Sequence, residues 1–522
     1  MSRIFARCAS ALLALGLVLG ANRASARDEN EGREAEHRNM SLVGFNGVQA
    51  RSIYQPVVHE QGGRFIAYIG HHALGTDPRN GDPLPSFNKL TNRHEENGTS
   101  IVDVTDPRRP KYLYHLPVSD GGGGGAQMVR VCDGKDLPKG NPNKVYLLRP
   151  YASAAHELWD VTNPSNPLPV HTVLNADPTK GPVNGDAHKG PIVDNLSGTH
   201  KSWWECNTGI AYLVGRRTVD PEGTFRNGNY IMIYDLSDPE YDSAGPSKFI
   251  RNWALDGQQP GGTIPPHFIS VPAIHGPIST GPGGRVYFAY GVGSNGVMQI
   301  VDRDKLLSSA ALDYKSAELG RLIMNPDNGG HTSWPLGKMR IADFTVDTGN
   351  TRGNVRDIVV VVSEAGGAFC SEVRHLTFMV DVTDEGRPQS VATFQVPNSS
   401  GNFCDRGGRF GPHASNEEFG PPFYQKLVFV SYFNAGVRAI DVRNPYEPKE
   451  VGSYIPAVTA STDYRCGTLN GVSGECRQVV QTNNVATDRR GFVYIVDRAD
   501  TGMHILRLTG EAARIAGLPD DD

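Results

Sequence analysis

The chain has 522 residues, including 60 glycines and 36 prolines, with a formal charge of −5 and a pI near 6.4. That composition fits an all-β protein with many turns, and it offers no basic surface for nucleic acid. Beyond the N-terminal segment, no apolar run is long enough to span a bilayer.

Residues 1–26 read as a secretory signal. Arg3 and Arg7 give the positive start, Ala9 to Gly20 the short apolar core, and Ala24-Ser25-Ala26 a small-x-small cleavage site. Export to the periplasm or the extracellular space is expected. Residues 27–39 (RDENEGREAEHRN) are charged and expected to form a disordered linker. From residue 40 to 510 one phrase recurs, an apolar strand closing on an aspartate and, in most copies, a proline-bearing turn. Ile101-Val102-Asp103-Val104-Thr105-Asp106-Pro107 is the first copy, and the aspartates Asp103, Asp160, Asp235, Asp302, Asp381 and Asp441 lie 57 to 79 residues apart. A strand-bearing repeat of that length signifies a propeller, in which a single domain absorbs the whole length.

Each repeat parses into four strands, A to D. Strand B is expected at Phe65–Gly70, Val145–Arg149, Ile210–Gly215, Val286–Tyr290, Ile358–Ser363, Lys426–Phe433 and Phe492–Asp497. These runs are almost wholly apolar, as strands covered on both faces should be. The seventh repeat has Arg507 where the aspartate belongs and lacks a strand D before a polar tail over 511–522. Ser41-Leu42-Val43-Gly44-Phe45 resembles the strand D sequence Glu450-Val451-Gly452-Ser453-Tyr454. The N-terminal segment is therefore expected to supply the missing strand and close an all-β, seven-bladed ring, a monomer without exposed edges. A carboxylate at a strand end can accept N–H groups from the next turn, so Asp103, Asp160, Asp235, Asp381 and Asp441 are assigned a structural role.

Six cysteines follow the signal, an even number that favours disulfides in an exported chain. Cys466 and Cys476 bracket a glycine-rich loop and should pair. Cys370 with Cys404 and Cys132 with Cys206 are the simplest remainder, with other pairings open.

Histidines recur at the start of strand A. Blade 3 has Asp186-Ala187-His188-Lys189-Gly190, blade 4 Ala273-Ile274-His275-Gly276-Pro277, blade 5 Gly329-Gly330-His331-Thr332-Ser333 and blade 6 Gly411-Pro412-His413-Ala414-Ser415. Blades 1, 2 and 7 place Arg51, Gln127 and Asn483-Asn484 there. Strand A is innermost, so His188, His275, His331 and His413 should converge on the channel. Imidazole nitrogen suits transition metals over Ca or Mg, so the set is expected to hold copper or iron, with an oxidoreductase as the activity. The other reading is a non-catalytic binding scaffold whose histidines brace their own blades.

Other residues signal less. His71, His72 and His94 sit in or beside a long loop of blade 1; they could cap the channel or bind metal, but loop histidines are usually solvated. Trp203, Trp204 and His200 fall in an insertion of blade 3, and Trp334 follows His331; these could wall a pocket or pack between blades. Asp77 to Asp82 lacks EF-hand spacing, and no Gly-Lys-Ser/Thr follows the glycine run at 121–125. The chain has no Gly-x-Ser-x-Gly elbow and no His-Glu-x-x-His.

The strand-C phrase resembles the LVIVD-repeat family of exported or surface β-propeller proteins, most closely over residues 436–457 (GVRAIDVRNPYEPKEVGSYIPA). The resemblance implies the fold; the activity of such proteins is mostly unassigned. Blade 4 departs by lacking the proline and blade 7 by lacking the aspartate. In plan, the histidine set is similar to carotenoid-cleaving oxygenases, which hold iron with four histidines on a seven-bladed propeller. It is similar also to the selenium-binding and methanethiol oxidase family, which uses propeller histidines with copper. Neither family's extended motif is present.

Overall fold

The computed structural model describes residues 34–84, 86–118, 125–174, 196–217, 225, 228–241, 248–263, 271–310, 313, 315–345 and 354–520. Seven of their antiparallel sheets are the blades of a β-propeller, with two further two-stranded sheets beside them. Blade 1 runs Ile53–Gln61, Arg64–His71, Gly98–Asp103 and Lys111–Pro117 from inner to outer strand. Blade 2 begins at Arg130–Asp133, blade 4 at Ile274–Ser279, and blade 5 at Gly330–Arg340. In blade 6 the inner segment is held to Leu427–Ser431 by His413 N–H to Ser431 O (2.9 Å) and Asn416 N–H to Phe429 O (3.0 Å).

Blade 7 joins the two ends of the chain. Thr482–Thr487, Phe492–Asp497 and Met503–Leu508 are completed by Met40–Asn46, with Met40 opposite Leu508 and Asn46 opposite Met503. Closure by the N-terminal strand thus occurs as its sequence likeness to blade 6 suggests. The middle strands are apolar on both faces because each face packs against a neighbouring blade. Ile66, Tyr68 and Ile101 of blade 1 meet Leu147 and Trp159 of blade 2, while Tyr287 and Met298 of blade 4 meet Val359 and Val361 of blade 5.

The repeated aspartate works locally. Its Oδ1 accepts the backbone N–H two residues on: Thr105 N–H donates to Asp103 at 2.9 Å, Thr162 N–H to Asp160 at 3.0 Å, Thr383 N–H to Asp381 at 2.8 Å and Arg443 N–H to Asp441 at 3.1 Å. The next Asp or Asn repeats the device before the proline-turn ends, as in Arg108 N–H to Asp106 and Ser165 N–H to Asn163, both at 3.1 Å. Three disulfides are present, Cys132–Cys206, Cys370–Cys404 and Cys466–Cys476.

Three segments differ from expectation. Glu36–Arg38, placed in the charged linker, pairs with Lys449–Ile455 as an added outer strand of blade 6. Its charges are used there: Arg38 meets Glu450 at 2.9 Å and Glu36 meets Arg406 at 2.8 Å. Gly510–Ala516, placed in the polar tail, is a helix whose Ala512, Ala513 and Ala516 are buried against blades 6 and 7. Three alanines on one face make an apolar stripe that a count of polar residues conceals. Blade 3 takes an inner strand from Ser202–Trp204, paired with Ile210–Arg217; the expected strand start at 186–190 lies outside the described residues. The signal residues 1–26 and His188 lie outside the described residues. Among those described, no helix is long and apolar enough to cross a membrane.

Candidate metal centre

The inner strands share a local irregularity that aims one side chain away from the sheet. In blade 1 the ladder passes from Ile53 to Gln55, skipping Tyr54; in blade 4 from Ile274 to Gly276, skipping His275. Blade 5 skips His331 and blade 7 skips Asn483 in the same way. A bulge frees its extra residue from the alternation of the strand and re-aims it. The positions are equivalent, so their side chains meet where the blades meet, at the axis.

Residues of five blades converge there. Tyr54 Oη of blade 1 lies 3.1 Å from His200 Nε2 of blade 3 and 2.9 Å from His331 Nε2 of blade 5. His200 Nε2 lies 3.1 Å from His275 Nε2 of blade 4. The ring centroids step from His200 to His275 (4.8 Å), to His331 (4.1 Å) and to His413 (4.2 Å). Glu364 faces this ring from blade 5, its two oxygens 3.8 Å from His275 Nε2 and 3.6 Å from His413 Nε2. His275, His331 and Glu364 each bring one ligand atom within 4.8 Å of the others.

Backbone carbonyls fix two of the tautomers. His275 Nδ1 is 3.3 Å from His331 O, and His413 Nδ1 is 2.6 Å from Asn483 O. A carbonyl only accepts, so each Nδ1 carries the proton and each Nε2 presents a lone pair. Gly276 permits the first of these bonds: a Cβ on it would stand 2.9 Å from His331 O. The Nε2 of His413 and that of His72 are buried with no hydrogen-bond partner among the described residues. Buried polar atoms left open in this way call for an explanation, and a ligand is one.

Burial, and then neighbouring positive charge, keeps these imidazoles neutral. His200 is pulled down to about 3, and His72, His275, His331 and His413 lie well below the usual range. Burial pushes the Glu364 carboxyl up, against the pull of Arg409 and Arg498. Burial, with Glu364 next, raises Tyr54 well above a free phenol, so it stays protonated and can donate to one of its two imidazoles. Neutral imidazoles beside one carboxylate make a donor set that suits a transition metal and disfavours Ca or Mg.

The adjoining layer of the channel is a buried ion-pair cluster. Lys201 Nζ is 2.8 Å and Arg130 Nη2 2.6 Å from Glu417, and Lys201 also donates to Thr332 Oγ1 at 3.2 Å.

Of the four histidines singled out by sequence, His275, His331 and His413 come together. Arg51 does not reach the axis; it donates to Ser86 O, Glu95 O and Asn97 within blade 1, and Tyr54 stands in its place. Asn483 lines the ring, donating to Tyr54 O at 3.0 Å. His71 is buried against Ser100 inside blade 1 and His94 is exposed beside Ser86, whereas His72 faces Tyr54 with ring centroids 5.0 Å apart. Trp203 and Trp334 pack against Phe419.

Sequence reasoning missed Tyr54 and Glu364 as neighbours of this site, and named His72 and His200 only as lesser candidates outside the metal set. A signal for His200 exists: Gly198-Thr199-His200-Lys201-Ser202 repeats the Gly-x-His-x-Ser of residues 329–333 and 411–415. Another links His72, Glu364 and Arg498, each the first residue after strand B of its blade.

No protein-family profile and no curated protein matches the chain. Solved structures similar to it include the Dos1 propeller, at 10% identity over 90% of this chain and 96% of that one, with a TM-score of 0.42. A Lactobacillus plantarum protein is similar at 10% identity over 79% and 87%, with a TM-score of 0.43. PorZ of Porphyromonas gingivalis is similar at 10% identity over 88% and 48%, with a TM-score of 0.39. Likeness this distant carries no argument about function; the architecture rests on the sheets themselves.

Proposed function

We propose that the chain is an exported propeller metalloprotein that holds copper or iron at the axis through His200, His275, His331 and His413 with Glu364, and that it acts as an oxidoreductase. The observation that carries this reading is the pair of carbonyl-fixed imidazoles whose Nε2 lone pairs face the carboxylate, that of His413 without any other partner. Spacing supports it as well. Two ligands each about 2.1 Å from one ion at cis angles lie about 3.0–3.4 Å apart, and the Nε2 atoms of His200 and His275 are 3.1 Å apart. Bound copper or iron would supply Lewis acidity and one-electron chemistry at this point. The protein's own part is to hold the imidazoles neutral, fix their tautomers through backbone carbonyls and keep a carboxylate beside them. Membership of the LVIVD-repeat family and an oxidising compartment belong to the same proposal, the latter in keeping with three disulfides.

The same carbonyl bonds favour a second reading. His275 ties blade 4 to blade 5 and His413 ties blade 6 to blade 7, as braces would in a non-catalytic scaffold. Titration of the chelator-treated protein with Cu(II) and with Fe(II), followed by calorimetry and by electron paramagnetic resonance, separates the two. One tight site with nitrogen hyperfine structure, lost in His275→Ala/His413→Ala, is the outcome expected of the metalloprotein. No saturable binding of either ion would leave the scaffold.

A further inference from the structure

Arg498 follows strand B of blade 7 as Glu364 follows strand B of blade 5, which places it at the level of the histidine ring. Its backbone is fully engaged. The N–H donates to Gln481 O at 3.0 Å, and the carbonyl accepts from Ser52 Oγ at 2.8 Å and Arg465 Nη2 at 2.9 Å. The half-buried guanidinium, in contrast, donates no hydrogen bond to any described residue. A guanidinium has five donors in a planar fork, and here they are left to solvent or to a bound anion.

Its surroundings set the charge of what would satisfy it. Arg409 Nη1 meets Glu364 Oε1 at 3.1 Å, and Arg465 meets Asp463 at 3.3 Å. Within the set Arg409, Glu364 and Arg498 one positive charge is left over. The field of Arg498 reaches Tyr54, His72, His200, His413 and Glu364, and it acts on the proton affinity of each. Arg498 itself is pulled down to about 9, by burial first and then by Arg409. The histidines are neutral and offset none of this charge.

We infer that Arg498, seconded by Arg409, binds the carboxylate of a small monoanionic substrate at the edge of the histidine ring. Its role as substrate rests on the metal reading above; the binding of the anion does not. A single carboxylate matches both the fork of Arg498 and the one surplus charge, whereas a phosphate dianion would exceed it.

The test uses the full mature chain before and after chelator treatment, titrated calorimetrically with acetate, acetamide and inorganic phosphate. Saturable acetate binding that survives chelation, weakens with added salt and is absent for acetamide is expected. Arg498→Gln should lower acetate affinity at least tenfold while leaving metal stoichiometry unchanged. Arg498→Lys retains the charge without the fork; it should fold and bind several-fold more weakly, which guards against a folding defect in the glutamine variant. Equal binding of acetate and acetamide, tighter binding of phosphate than acetate, or unchanged acetate affinity in both variants would overturn the inference. Acetate binding in a protein that takes up no metal would uphold this site while removing the metalloprotein reading.

Discussion

In the channel layer of Lys201, Glu417 and Arg130, each buried charge meets its opposite within 2.6–2.8 Å. One residue before Lys201, just ahead of the blade 3 inner strand, stands His200, and in its layer the buried Nε2 atoms of His413 and His72 have no partner among the described residues. The first layer ties each of its charges into an ion pair and works as structure. The second keeps valence open, at a cost that folding alone does not repay. Two adjacent layers on one set of strands thus divide stability from chemistry, and substitutions in them should have opposite profiles.

Glu417→Ala should have the largest effect on folding, because it strands Lys201 and Arg130 without an anion. A loss of about 3–5 kcal/mol is expected in urea unfolding. A loss below about 1 kcal/mol would break the contrast.

Acid should act through the same residue. Burial works to raise the Glu417 carboxyl, yet Lys201 and Arg130 hold it down at about 2, below its ordinary 4.5. A carboxylate depressed on folding gives stability that is present above about pH 4.5 and lost as pH falls towards 2. The loss is on the order of 2–3 kcal/mol. Unfolding free energies across that range should flatten in Glu417→Gln.

The ring should behave otherwise. His275→Ala/His413→Ala should cost only about 1–2 kcal/mol, since lost packing is offset by removal of an open buried nitrogen. A folding loss as large as that of Glu417→Ala would make the ring a brace.

The smallest effect belongs to the outer turns. Asp441→Ala leaves one turn amide to solvent and should cost about 0.5–1.5 kcal/mol, read as a small shift in the urea midpoint.

What the sequence disclosed followed the range of the interaction. The aspartate turn binds two residues away, so Asp103 and its equivalents could be read from one repeat. Strand B could be read from apolar runs, and the closing strand from its likeness to blade 6. At the site, His275, His331 and His413 were legible because each starts an inner strand. Tyr54 was not, because a bulge between Ile53 and Gln55 decides where it points, and a bulge has no composition of its own. His200 was hidden because it falls within the insertion of blade 3, just ahead of the inner strand at Ser202–Trp204. Glu364 and Arg498 sit in loops whose position only the closed ring defines. The helix at Gly510–Ala516 was obscured by its charged neighbours.

The central claim is that the open histidine ring holds a metal, and elemental analysis of the protein purified from its native compartment tests it most directly, with His275→Ala/His413→Ala alongside. Near-stoichiometric copper or iron in the wild type, absent from a variant that remains folded, is the predicted result. Wild-type protein that contains neither metal and takes up neither on reconstitution would contradict it.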